Sequence, residues 1–112
     1  MAKVTALQAI MALIKQIKWA KNAGMENAAE LFFSVNDMKH EITAITGRID
    51  NEVMNQFKSA LEELAKHGYV EARDGVGISA RGYKQIYAGF YKVREYRITE
   101  KGINKVRELT GK

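Results

Sequence analysis

Leu61-Glu62-Glu63-Leu64-Ala65-Lys66-His67-Gly68-Tyr69-Val70, answered by Tyr96-Arg97-Ile98-Thr99-Glu100-Lys101-Gly102, decides how this chain folds. The first stretch ends an amphipathic segment, residues 50–67, in which Val53, Phe57, Leu61 and Leu64 recur at helical spacing with Met54 and Ala60 at the edges. Gly68 suits the left-handed residue that closes a helix, and His67 suits the negative helix end. Tyr69-Val70-Glu71-Ala72-Arg73 alternates as a strand does, and residues 92–98 read as its return strand, with Tyr96 and Ile98 on one side. Thr99 then caps a last helix over residues 99–110, with Ile103, Val106 and Leu109 as a narrow apolar stripe.

Between the two strands lies a long interval. Asp74-Gly75 is a turn signal, and Val76 to Gly82 continue before the chain becomes aromatic. Tyr83, Tyr87 and Tyr91 lie four apart with Ile86 and Phe90 between them, which fits helical turns; the same residue types fit strand, and both readings stand.

N-terminal to this region, Val4, Leu7, Ile10, Met11, Leu13, Ile14 and Ile17 predict a helix over residues 4–22, ended near Gly24, with Trp19 off the stripe. Its apolar arc is broad enough for a central core helix or for one that also meets a partner subunit. Residues 25–33 suit a short second helix or a turn leading into strand-like Phe33-Ser34-Val35. Asn36 or Asp37 caps a helix over residues 37–45. Ser34 and Asp37 offer local capping without a clean capping box. That helix, a turn at Thr46-Gly47-Arg48, and the helix capped by Asp50 make a helix-turn-helix candidate.

Composition narrows the function. The 112 residues, 46% hydrophobic and 28% charged, predict one soluble globular domain over residues 1–112. There is no cysteine, which excludes disulfides, cysteine-bound zinc, iron–sulfur clusters and thiol catalysis. The N-terminal apolar run is interrupted by Gln8 and Lys15 and too short to span a bilayer; with no cleavage site after it, a signal peptide is also rejected. The expected location is cytoplasmic, on the nucleoid if DNA is bound.

The net charge of +5 is uneven. Through Lys66, eight basic residues balance eight acidic ones; from His67 on, ten basic residues face five acidic ones. Between Asp74 and Glu95 there are four basic residues (Arg81, Lys84, Lys92 and Arg94) and no acidic one, where a polyanion would be touched. The polar back of the 50–67 helix carries Asn51, Asn55, Lys58, Ser59 and Glu62, and Gln56 with Arg48 near the helix start adds to the residues suited to groove reading. Asparagine and glutamine can bond an adenine edge with donor and acceptor, and Lys or Arg reaches guanine or phosphate. Together with Arg73, these residues, Glu62 apart, form the candidate DNA-binding set.

Gly68-Tyr69-Val70 and Tyr96-Arg97-Ile98-Thr99-Glu100-Lys101-Gly102 resemble the signature of winged-helix transcription regulators of the MarR and PadR type, over roughly residues 35–110. The resemblance implies a mainly α fold with a small β-hairpin (α+β): a winged helix-turn-helix with a long N-terminal helix and an extended wing. The expected layout is a possible dimerisation helix at 1–24, the helix-turn-helix at 36–67, the wing at 68–98 and the C-terminal helix at 99–110. It also implies a homodimer on double-stranded DNA. The wing is longer than the pattern.

Chemistry is not expected. His40 and His67 match no metal spacing, Gly75-Val76-Gly77 with Gly82 is no phosphate-binding fingerprint, and Ser34, Ser59 and Ser79 lack a nucleophile's surroundings. Neither enzyme activity, metal, cofactor nor membrane is expected. The alternative is a winged-helix accessory protein for replication, plasmid partition or polymerase. It would act through protein contacts or single-stranded nucleic acid, with Tyr83, Tyr87, Phe90 and Tyr91 as stacking platforms.

Overall fold

Thr5 starts the first helix, α1 (Ala6–Asn22), by a reciprocal capping box: its hydroxyl accepts from the Gln8 amide at 3.1 Å, and the Gln8 side chain accepts from the Thr5 amide at 3.0 Å. The computed structural model describes residues 4–78 and 90–110. Within them α1 is followed by β1 (Phe33–Ser34), α2 (Lys39–Thr46), α3 (Asn51–Lys66), β2 (Val70–Ile78), β3 (Phe90–Ile98) and α4 (Glu100–Thr110). This is an α+β arrangement in which the helices predominate.

The connection after α1 takes the second of its two readings: Ala28–Glu30 makes a short 3-10 turn that leads into β1, and no second α-helix forms over residues 25–33. A second 3-10 turn, Asn36–Met38, precedes α2, so that helix begins later than the Asp37 start expected. Ser34 and Asp37 nevertheless bond reciprocally across this turn, Ser34 N to Asp37 Oδ2 at 2.9 Å and Asp37 N to Ser34 Oγ at 3.2 Å. The pairing is tidier than the sequence indicated, because β1 fixes the Ser34 backbone beside Glu95.

The core is assembled from the expected stripes. Ile10, Leu13 and Ile17 of α1 meet Ile42 of α2, Val53, Phe57, Leu61 and Leu64 of α3, and Val70, Tyr96 and Ile98 of the sheet. α1 is thus a central core helix that still leaves Leu7 and Trp19 exposed. Among the described residues Tyr96 is the largest fully buried side chain. Gly47 ends α2 in the left-handed region, and Asp50 caps α3 by accepting from Val53 N at 2.8 Å. Gly68 turns the chain from α3 into β2 at φ +77°, which a residue with a Cβ adopts only at a cost.

The sheet is three-stranded and antiparallel in the order β1-β3-β2. The expected two-strand hairpin therefore has a third member, Phe33 opposite Tyr96 and Ser34 opposite Glu95. The Asp74-Gly75 turn signal is overruled. β2 runs straight through it to Ile78, with Asp74 opposite Arg94 and Arg73 opposite Glu95, two unlike-charge pairs that favour continued pairing. The return strand correspondingly begins at Phe90, two residues earlier than the sequence indicated. At the other end, Thr99 Oγ accepts from Gly102 N at 3.1 Å and donates to the carbonyls of Gly68 and Tyr69, so α4 is capped and tied to the turn after α3 in one step.

Candidate functional site

α3 presents its polar back along one stripe. Asn51, Asn55, Lys58 and Ser59 are all exposed and fall at positions i, i+4, i+7 and i+8 of one helix. Among the described residues, the side chains of Asn51, Asn55 and Ser59 make no hydrogen bond within the chain, and Lys58 enters no salt bridge. Asn55 and Lys58 also line a small cleft between α3 and the sheet, of about 150 Å³, opposite Asn36, Val93 and Arg94. The stripe and the base of the hairpin are therefore neighbours.

Gln56 and Arg48 are placed differently from that stripe. Gln56 is half-buried and turns toward α1: its Oε1 accepts from Val4 N at 3.2 Å, and its amide nitrogen donates to Glu52 at 3.4 Å. Arg48 lies at the start of α3 against Asp50 (3.0 Å) and Glu52 (3.3 Å). The Asp50 carboxyl is held below its ordinary value, chiefly by accepting from the Val53 amide and then by the Arg48 charge.

The hairpin base uses its charges internally. On its outer face Arg97 meets Glu71 at 2.6 Å and Arg73 meets Glu95 at 3.0 Å, each pair directly across the two strands. Both guanidinium groups also stack on the Phe32 ring, at 3.9 Å for Arg73 and 4.7 Å for Arg97. On the inner face Arg94 makes a bidentate pair with Glu62 of α3, both bonds 2.9 Å, and a third bond to Asp74 at 3.1 Å. Tyr96 Oη donates to the same Glu62 carboxylate at 2.5 Å.

These contacts account for the shifted groups. Donation by Arg94 holds the Glu62 carboxyl below its ordinary range against a smaller opposing effect of burial. Bonds to Glu62 and then Asp74 raise Arg94. Burial first, then the neighbouring carboxylate, pushes the Tyr96 phenol up. Arg73 and Arg94, expected on the DNA side as open cations, are thus each engaged by acidic partners. The sequence showed their charge but not the carboxylates folded against them.

The other expected wing residues fall partly outside this picture. Arg81 and Lys84, with Tyr83 and Tyr87, lie outside the described residues. The Lys92 backbone pairs with Val76, and its side chain is likewise outside the described part, as are those of Phe90 and Tyr91. One basic surface was not singled out beforehand: Lys15, Lys18 and Lys21 are exposed on α1, a helix without any acidic residue, beside Trp19, 55% exposed. The absence of Asp and Glu from residues 6–22 was the available signal.

Among the described residues no group of three or more His, Cys, Asp or Glu side chains is placed to hold a metal ion, and no helix is long and apolar enough to cross a membrane. Compared with protein-family models, with curated proteins and with solved structures, the chain has no significant match.

Proposed function

We propose that this protein is a winged helix-turn-helix that binds double-stranded DNA sequence-specifically, as a homodimeric transcription regulator. The observation that carries the reading is the exposed stripe Asn51, Asn55, Lys58 and Ser59, polar groups with open hydrogen-bonding capacity on the first half of an amphipathic helix. α3 enters the major groove with that stripe toward the base edges, and the two half-sites lie about one helical turn apart. The element order supports it: a helix-turn-helix followed by a hairpin that returns beside β1. Phosphate contacts come from Arg81 and Lys84, which have no acidic neighbours in sequence, and from Lys92. The dimer forms through the outer face of α1, where Leu7 and Trp19 are exposed apolar side chains. The protein acts on intracellular DNA, by binding and not by chemistry.

A second reading is a winged-helix accessory protein acting through protein contacts, favoured by the internal pairing of Arg73, Arg94 and Arg97. Titration with duplex and with single-stranded DNA at two salt concentrations separates the two. The DNA reading expects tighter duplex binding that weakens steeply with salt, and a weaker, shallower dependence when Arg81 and Lys84 are both changed to alanine. No duplex binding at low salt favours the accessory role.

A further inference from the structure

Arg94 joins three elements. Its Nε and one terminal nitrogen grip Glu62 of α3, its other terminal nitrogen reaches Asp74 of β2, and its own backbone belongs to β3. A planar guanidinium held by two parallel bonds fixes an angle as well as a distance, which a lysine cannot do. Tyr96 supports the same carboxylate from the buried side at 2.5 Å. Lys58 also acts on Glu62 at longer range, one helical turn away. The ion cluster therefore sits at the margin of the α3 stripe, where the hairpin leaves the core.

We propose that Glu62 and Arg94 are positioning residues: together they set the orientation of the hairpin relative to the reading face of α3, and Arg94 is not a phosphate ligand. The proposal rests on the duplex-binding reading and sharpens it. For Arg94 to swing to a phosphate, Glu62 would lose both of its guanidinium bonds, and a partly buried carboxylate would lose its main counter-charge. Keeping the cluster intact lets the hairpin and α3 meet one duplex in a fixed relation, with the hairpin base contributing geometry in place of charge.

Glu62→Gln gives opposite signs for the two roles. Removing an acid beside a polyanion-binding face should tighten DNA binding if charge alone matters. If Glu62 positions the hairpin, the same change weakens binding, by roughly tenfold for a coupling carried between two packed elements. Arg94→Lys separates the roles again. A phosphate ligand keeps its affinity as lysine, whereas a positioning residue loses roughly tenfold because the fork is gone. Arg94→Gln completes the set. Made in the Arg81→Ala, Lys84→Ala background, where those phosphate contacts are already gone, it lowers the slope of log affinity against log salt by about 0.9 if Arg94 is a phosphate ligand and leaves it unchanged if Arg94 is a positioning residue.

The experiment is a duplex titration of the full chain, the Arg81→Ala, Lys84→Ala chain and these three variants over a salt series, with melting curves to give the folded fraction of each. Weaker binding by Glu62→Gln and Arg94→Lys, with an unchanged slope when Arg94→Gln is added to the Arg81→Ala, Lys84→Ala chain, is the expected result. Tighter or equal binding by Glu62→Gln overturns the proposal, as does a loss fully explained by a smaller folded fraction. If the parent chain binds no duplex, the DNA reading fails on its own, and amide exchange then judges the cluster. Faster exchange at residues 72–74 and 94–96 in Glu62→Gln, with α1 unchanged, upholds the positioning role; equal exchange removes it.

Discussion

The first half of α3 and the base of the β2–β3 hairpin lie beside each other and treat their polar groups in opposite ways. On α3, Asn51, Asn55 and Ser59 are exposed and make no hydrogen bond within the described chain. On the hairpin base, Arg73, Arg94 and Arg97 each meet a carboxylate, and two of them stack on Phe32 as well. Formal charge is therefore a poor guide to the surface open to a ligand. The neutral amides of α3 keep their hydrogen-bonding capacity open, whereas the guanidinium groups of the hairpin are already engaged by carboxylates.

The two regions share one anchor. Tyr96 is fully buried, and its hydroxyl bonds the α3 side of the cluster. Tyr96→Ala should cost about 3–5 kcal/mol in chemical denaturation, the range for truncating a buried aromatic ring. Tyr96→Phe keeps the ring and should cost about 1 kcal/mol, the scale of one hydrogen bond. Equal losses would mean that the ring's packing contributes little.

Asn55→Ala tests the other region. If Asn55 reads a base, affinity for the preferred duplex should fall by about 1–3 kcal/mol and for unrelated duplexes by less. Its melting temperature should hardly move, since the side chain is exposed and makes no bond in the fold. A uniform loss over all sequences would remove it from the reading stripe.

Acid sensitivity belongs to the hairpin side. Glu62 titrates below its ordinary value of 4.5 because Arg94 and Tyr96 donate to its charged form. Its contribution to stability is complete above that ordinary value and disappears as pH falls through the lowered one. The denaturation midpoint of Glu62→Gln should accordingly fall less than the parent's on acidification, measured over that range. Parallel acid limbs for the two chains would contradict the assignment.

The smallest effect is expected from Arg73→Ala. Its pair with Glu95 is solvent-exposed, so stability should change by about 0.2–1 kcal/mol, and the salt slope of DNA binding should stay as it was. A slope lowered by about one phosphate contact would return Arg73 to the binding surface.

How much of this was legible follows from the range of each signal. The helical stripes, the Gly68 turn and the Thr99 cap are local patterns, and each appears where its residues indicated. The Thr5–Gln8 capping box was equally local and could have placed the start of α1 at Ala6 and not at Val4. Asp74-Gly75 misled because turn propensity is a weak local preference, overridden by strand partners twenty residues away. Glu62 and Arg94 are 32 residues apart, so neither spacing nor composition announces that they meet. The α3 stripe was visible as residue types, but Gln56 was assigned to it without knowledge of Val4 above it.

Whether the stripe on α3 reads duplex DNA is tested most directly by selecting bound duplexes from a random pool with the full chain. Enrichment of a near-palindromic consensus whose half-sites lie about one helical turn apart is expected, lost for Asn55→Ala at the contacted position. A pool that passes through successive rounds with no enriched sequence would contradict that reading.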